Sequence, residues 1–314
     1  MNISAVIPAY NESDNIKATV EEILAITGKR SDIDKFKVIV VDDHSYDNTY
    51  DIVNNIHDSR VSCLRLSRQS GSHTALRAGI KEADGDIVLC MAADGQDDPN
   101  CLEEMISRWN NGDKIVWALR KTRENESYFS RLFAQVFYWI LFWTARSDLQ
   151  GIELSRADFY LLDRVVVRAI NSCGERNTSV FGLIVWLGFK QGFVEYERRK
   201  RKTGSSKWNF RSRLRLAKDW IIAFSGLPLK LMTVVGFLVA FVGFSYSLFL
   251  IISGIVIGRP VQGWASTMVV ILLLGGLQMT MFGIVGEYLW RNIDESRKRP
   301  LYFIEKSTFE NNKE

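Results

Sequence analysis

The sequence predicts an α/β domain built on a mainly parallel sheet, followed by two helices that cross a membrane. Three observations predict it. Short β-branched runs alternate with helix-like stretches as far as about residue 120. Two runs of 23 residues, 231–253 and 264–286, carry no charge, and Gln278 is the one strongly polar side chain in them. Basic residues crowd the outer flanks of that pair, while the linker between them holds only Arg259.

Taken in chain order, "ISAVIP" (3–8), "KVIVVDD" (37–43), "VSCLRLS" (61–67), "DIVLCMA" (86–92) and "KIVWALR" (114–120) read as buried strands. The segments that open at Ser13, Tyr46, Ser72 and Pro99 read as the intervening helices. Such alternation buries the sheet on both faces, so ligands lie beyond the carboxyl ends of the strands. Those ends read "PAYNE" (8–12), "DDHSYDNT" (42–49), "SRQSGSHTA" (67–75), "AADGQDDP" (92–99) and "ALR" (118–120), richer in acids and amides than loop solvation requires. Asp42 reads as a cap for the helix near Tyr46, and Asp97 or Asp98 as a cap for the helix at Pro99. His73, at a helix start, reads as structural or as a neighbour of a nucleotide; His44 and His57 have no evident partner.

Residues 128–145, crowded with aromatics but too short and polar to span, read as an interfacial helix, with a domain-core helix as the alternative. Residues 211–229 repeat the basic and apolar pattern and read as a juxtamembrane amphipathic helix. Each 23-residue run is long enough, at about 1.5 Å per residue, to cross a hydrocarbon core of about 30 Å. Lys207, Arg211, Arg213, Arg215, Lys218 and Lys230 precede the first run, and Arg291, Arg297, Lys298 and Arg299 follow the second. The positive-inside rule then places both large flanks in the cytoplasm.

At 314 residues the chain accommodates about two domains, expected as a soluble domain over 1–210, a juxtamembrane helix over 211–230, a membrane region over 231–290 and a cytoplasmic tail over 291–314. The net charge of +4 hides a segregation: Arg198 to Lys202 form an unbroken basic run, whereas acids concentrate before residue 175. That pattern points to phosphate or a membrane surface as partner, with no nucleic acid expected. Cys63, Cys90, Cys101 and Cys173 lack paired spacing and read as reduced thiols. The N-terminus has neither a basic start nor a long apolar run, so no signal peptide is expected there.

The order of the strand-end motifs resembles the inverting nucleotide-sugar transferases of the GT-A fold. The two C-terminal runs narrow the resemblance to the polyisoprenyl-phosphate glycosyltransferases, which include dolichyl-phosphate mannose synthase and the bactoprenol glucosyltransferases of O-antigen modification. It covers nearly the whole chain, and its specificity lies in the ordered set rather than in any single motif. The resemblance implies that Pro8, Tyr10 and Glu12 hold the nucleotide and that Asp43 contacts its base or ribose. The family's Asp-Ala-Asp-Leu-Gln-Asp-Pro-Pro stands here as Ala92, Ala93, Asp94, Gly95, Gln96, Asp97, Asp98 and Pro99. The first carboxylate is missing, Ala93 stays beside the nucleotide sugar, and Asp94 and Gln96 are the implied ligands of Mg²⁺ or Mn²⁺. A hard cation needs only one or two protein oxygens when diphosphate and water complete its shell; Asp97 or Asp98 are the candidates to compensate for the lost acid.

The resemblance further places Arg120 near the diphosphate and identifies "RKTGSSKW" with a phosphate-covering loop, carried by Arg201, Gly204, Ser206 and Lys207. "ADFYLLDR" resembles a segment that sets Asp158 near the acceptor before a helix; the family's arginine is Tyr160 here, with Arg156 and Arg164 as candidate substitutes. Asp158 and Asp94 are thus the implied catalytic pair. The implied reaction moves a hexose, glucose from a UDP donor, onto polyprenyl phosphate at the cytoplasmic face with inversion, for cell-envelope glycans. A phosphate monoester with a second pKa near 6 is already nucleophilic at neutral pH, so no general base is required. Implied partners are a homo-oligomer, a separate flippase and a downstream transferase. The alternatives are a processive polysaccharide synthase, whose Gln-x-x-Arg-Trp motif is absent from the sequence, and a degenerate member that binds sugar nucleotide without turnover.

Overall fold

The computed structural model describes residues 1–121, 157–176, 178–199, 227–257 and 263–309. Contacts divide the chain into two units, Met1–Leu216 with Pro300–Glu314, and Ala217–Arg299.

The first unit is built on an eight-stranded sheet, β1 (Asn2–Ala9), β2 (Lys35–Asp42), β3 (Val61–Leu66), β4 (Ile87–Cys90), β5 (Ile115–Arg120), β6 (Ala157–Asp163), β7 (Gln191–Tyr196) and β8 (Ile304–Ser307), in the order β7-β5-β6-β4-β1-β2-β3-β8. The five strands expected from sequence are all present. β1 is buried over five consecutive residues, as a strand covered on both faces must be. It lies parallel to β2 and β4, with Val6 opposite Ile39 and Cys90.

Helices cover both faces. α1 (Ile16–Thr27), α2 (Thr49–Asn54) and α4 (Leu102–Asn110) contribute Val20, Ile23, Tyr50, Met105 and Ile106 to one core with Ile7, Val40 and Leu89. On the opposite face α3 (Ser72–Glu82), α5 (Arg164–Ser172) and α6 (Val180–Trp186) pack Ala78, Ile80, Val167 and Leu183 against Val6, Ile39 and Trp117. Gly79 lets α3 approach closely: a Cβ there would stand 2.3 Å from Val6 Cγ1 and 3.0 Å from Val41 Cγ2.

Two strands run against the rest. β6 enters antiparallel between β4 and β5, and β8 closes the free edge of β3 antiparallel. The stretch 291–314, expected as a tail, therefore divides. The last long helix runs to Ser296, and β8 covers a strand edge whose N–H and C=O groups would otherwise lie open.

The second unit holds α7 (Leu227–Ile257) and α8 (Trp264–Ser296), both long and apolar enough to cross a membrane. Side chains such as Phe237, Phe241, Ile255, Leu273 and Phe282 are exposed, unlike those of a soluble core helix. Each helix outruns the 23-residue run expected for it. α7 starts earlier because Pro228 is tolerated in a first turn; α8 continues past Gly286 through an i,i+4 pair, Glu287 with Arg291 at 3.3 Å. Residues 128–145 and 211–226 lie outside the described residues, and 227–230 open α7.

Candidate active site

The carboxyl ends of the parallel strands meet at one sheet edge, and the antiparallel β6 brings its amino end to the same edge beside β4 and β5. Nearly every sequence-derived site residue that the structure describes is therefore gathered there.

The turns after β1 and β2 are laced together. Asn11, held at φ 51°, donates its N–H to Ser45 Oγ at 2.9 Å and accepts from the Tyr46 N–H at 2.8 Å. Glu12 N–H donates to Thr49 Oγ1 at 2.9 Å, and the Glu12 carboxylate accepts from Asn15 Nδ2 at 2.9 Å. Pro8 lies within β1 opposite Val41. The Tyr10 ring stands edge-on to Tyr46 at 6.5 Å, and Tyr46 is 80% exposed, a flat apolar surface at the rim of the edge.

Asp43 is buried, and its two oxygens accept N–H groups from Ser70 at 2.7 Å and Gly71 at 2.8 Å. Burial raises its carboxyl pKa against the lowering effect of those two donors. The side chain thereby fixes the loop after β3. Asp42 does not cap a helix, contrary to expectation: α2 begins only at Thr49, after Asn48. Its carboxylate accepts from Ser45 N–H at 3.0 Å and pairs with Arg65 at 2.6 Å.

After β4 the chain turns sharply at Gly95, where φ is 68°, a left-handed conformation that glycine adopts without strain. Ala93 is buried, and its carbonyl accepts from Thr19 Oγ1 at 3.1 Å. Asp97 is buried too, accepting from Ala92 N–H at 2.8 Å and from the Tyr196 hydroxyl at 3.2 Å. Asp98 caps the 3-10 turn Pro99–Cys101 by accepting from Asn100 N–H at 3.1 Å. Both acids thus have structural partners, and of the two it is Asp98 that caps the turn at Pro99.

Asp94 Oδ1 accepts from Gln96 N–H at 3.2 Å, and Gln96 Nε2 donates to Arg199 O at 3.2 Å. Among the described residues Asp94 Oδ2 and Gln96 Oε1 accept no hydrogen bond, the Gln96 amide being turned with its NH₂ toward Arg199 O. Among the described residues no three His, Cys, Asp or Glu side chains cluster as a metal-binding group. The pair fits a cation whose shell is completed by diphosphate and water.

Arg120 is the last residue of β5, opposite Tyr196 of β7. Asp158 is the extra residue at a register shift, since Ala118 pairs with Phe159 and Leu119 with Ala157. Such bulges recur beside active sites; the Asp158 side chain, Arg156, Arg201, Gly204, Ser206 and Lys207 lie outside the described residues. Arg164 is no substitute for the missing family arginine. It follows the far end of β6, where its guanidinium donates to Ala83 O at 2.5 Å, at the opposite sheet edge. Tyr160 points into the core beside Trp117 and Phe181.

The pattern of glycosyl transferase family 2 matches residues 4–160, which contain the carboxyl ends of β1 to β5 and the amino end of β6. The chain belongs to glycosyl transferase family 2. Relatives match almost throughout: an uncharacterized glycosyltransferase of Synechocystis is 37% identical over 97% of this chain and 95% of its own. The bactoprenol glucosyl transferase of Shigella phage SfII is 35% identical over 98% of both chains. A prophage bactoprenol glucosyl transferase homolog of Escherichia coli is 34% identical, covering 98% of this chain and 99% of its own. Among solved structures, mannosyl-3-phosphoglycerate synthase from Rubrobacter xylanophilus superposes with a TM-score of 0.51 at 20% identity, over 71% of this chain and 73% of that one. Glucosyl-3-phosphoglycerate synthase from Mycobacterium tuberculosis, solved with Mn²⁺, UDP and phosphoglyceric acid, gives 0.50 at 16% identity, over 70% and 76%. These place the glycosyltransferase in the GT-A fold.

Three residues that organise the transferase's site escaped the sequence reading. Arg199, part of the basic run, is ion-paired with Glu22 and, at 2.9 Å, with Asp98. Arg65 braces the turn after β2, and Glu305 of β8 braces Arg65 at 3.1 Å. Local pattern carries no signal for a pair 240 residues apart. His44, expected to lack partners, lies with Nδ1 3.1 Å from Leu66 O and 3.5 Å from Glu305. His73 meets the Phe181 ring edge-on at 5.8 Å, its Nδ1 is buried without a hydrogen-bond partner among the described residues, and burial lowers its pKa to about 4.

Proposed function

We propose that this glycosyltransferase moves glucose from UDP-glucose to polyprenyl phosphate at the cytoplasmic face of a membrane crossed by α7 and α8. The observation that carries the proposal is the extent of the similarity to bactoprenol glucosyl transferases, about a third of residues over 98% of the chain, the two apolar helices included. A polyprenyl acceptor is held in a bilayer, and an enzyme that uses it gains by being held there too.

In this reading Tyr10 and Tyr46 present ring faces and edges to the base, while Asp43 shapes the loop beside it. Pro8, Glu12 and Ala93 complete the donor cradle. Asp94 Oδ2 and Gln96 Oε1 would hold Mg²⁺ or Mn²⁺ together with the donor diphosphate. Such an ion offsets charge on the departing nucleoside diphosphate. Arg120, Arg201 and Lys207, assigned to the diphosphate by the family resemblance, would offset charge on the same oxygens. An oxygen of the acceptor phosphate attacks the anomeric carbon, the bond to the UDP oxygen breaks, and UDP leaves with the electron pair. One displacement inverts the anomeric configuration, and no proton has to be removed. Asp158, at its bulge, orients acceptor and sugar; positioning supplies the larger part of the rate.

The topology is consistent with this. Two crossings return the chain to its starting side, and β8, which follows the second long helix, belongs to the same sheet as β1 to β7. Both basic flanks then face the cytoplasm. Two helices are too few to carry a sugar-phosphate headgroup across alone, so transbilayer movement falls to an oligomer or a flippase, and use of the sugar to a later transferase.

The test incubates the purified full chain with radiolabelled UDP-glucose, polyprenyl phosphate and Mg²⁺ or Mn²⁺, and follows label into an organic extract. Metal-dependent labelling is expected. Its absence with every common UDP- and GDP-sugar overturns the proposal.

A further inference from the structure

β8 does more than cover an edge. The register along its pairing with β3 shifts: Leu64 faces Ser307 and Arg65 faces Lys306, but Leu66 faces Ile304, so Glu305 is the extra residue of a bulge. A bulge re-aims a side chain, and here Glu305 Oε2 accepts from Arg65 Nε at 3.1 Å. The other two nitrogens of the Arg65 guanidinium reach the turn after β2. Nη1 pairs with Asp42 at 2.6 Å, and Nη2 donates to Ser45 O at 3.0 Å.

From that turn the bonds continue to the first strand end, through Asn11 N–H to Ser45 Oγ and Tyr46 N–H to Asn11 Oδ1. A second contact runs alongside: Phe303 O accepts from Ser67 N–H at 2.9 Å, at the start of the loop that Asp43 holds at Ser70 and Gly71. The two turns read as nucleotide-binding, and the loop after β3 that Asp43 holds beside them, are thus linked to the segment 303–305.

We infer that Glu305, at the bulge of β8, is a positioning residue for the donor site, which holds Arg65 and through it the Asp42–Ser45 turn in the shape that receives a nucleoside diphosphate. The inference rests on the reading of the turns after β1 and β2 as nucleotide-binding. It has a consequence for assembly. Glu305 follows α7 and α8 in the chain, so the donor site gains its last support only after both long helices have been made. A bare edge-covering role predicts something different, a loss of stability with no change in nucleotide affinity.

The experiment uses the full chain in detergent or nanodiscs and measures UDP binding calorimetrically with Mn²⁺, donor and acceptor KM, kcat and Tm. Glu305→Ala is expected to raise the UDP Kd and donor KM about three- to tenfold, with the acceptor KM unchanged. Glu305→Gln, which keeps an acceptor for Arg65 Nε, recovers most of the affinity. Lys306→Ala, whose ammonium lies 5.6 Å from the Tyr50 ring, leaves UDP binding as it was. Equal UDP affinity in Glu305→Ala and wild type, with or without a lower Tm, overturns the inference alone. Wild type that binds no nucleoside diphosphate overturns both it and the functional reading beneath it.

Discussion

Gln96 and Arg199 hold each other in both directions: the Arg199 N–H donates to Gln96 O at 3.0 Å, and Gln96 Nε2 donates to Arg199 O at 3.2 Å. The Arg199 side chain is in turn pinned by Glu22 and Asp98. The turn that carries Asp94 is thereby joined to the segment leading into the basic loop, and the amide oxygen of Gln96 is left for a cation.

Gln96→Ala is expected to raise the Mn²⁺ concentration for half-maximal transfer about tenfold or more. Arg199→Ala, which frees the partner but keeps the ligand, moves it in the same direction by less. Electron paramagnetic resonance of free Mn²⁺ in the presence of UDP reads the same change without turnover. An unaltered Mn²⁺ requirement in Gln96→Ala contradicts the assignment.

Asp94 and Asp98 lie four residues apart and should separate cleanly. Asp94→Asn is expected to lose transfer by about two orders of magnitude or more while Tm holds. Asp98→Ala removes a cap and a partner of Arg199, at a cost of about 1 kcal/mol in stability, and retains most activity. Thermal melts beside initial rates distinguish them, and full activity in Asp94→Asn sinks the metal assignment.

His73 makes folding sensitive to acid. Its folded pKa, near 4, lies below the ordinary value of 6.5 because burial disfavours the charged ring. The unfolded chain therefore binds the proton more readily, so this contribution is intact above about pH 6.5 and is lost as pH falls toward 4. At about 1.4 kcal/mol per unit the total is on the order of a few kcal/mol. His73→Gln should flatten the Tm profile between those limits; an unchanged slope would show that other groups set it.

Gly79→Ala tests how tightly α3 lies on the sheet. Helix propensity favours alanine by up to about 1 kcal/mol, but the new methyl would stand 2.3 Å from Val6 Cγ1. Overpacking of about 1 to 3 kcal/mol should win and lower Tm by several degrees. Adding Val6→Ala should return part of the loss, and a Tm that rises in the single variant would refute the packing account.

The strands β1 to β5 were legible because a parallel strand buried on both faces must be written in consecutive apolar, β-branched residues. Their ends were legible for the complementary reason, that polar residues return where the sheet meets solvent. The direction of β6 was not. "ADFYLLD" reads only as a segment before a helix, and nothing local tells that it enters between β4 and β5, which brings Asp158 to the strand-end edge. Arg164 shows the same limit in reverse: near Asp158 in sequence, it ends at the other side of the sheet.

The sequence by itself determined the alternation of strands and helices, the two apolar spans with their basic flanks, and the acid-rich strand ends, because each is set by local periodicity or composition. Tertiary structure alone decided what those acids do. Asp42 faces Arg65, Asp97 faces Ala92 and Tyr196, Asp43 faces the loop after β3, and Asp94 keeps an oxygen open. A carboxylate reads alike in sequence whether it meets a cation, an N–H or water; the partner arrives from a distant strand, and in Glu305 from beyond both long helices.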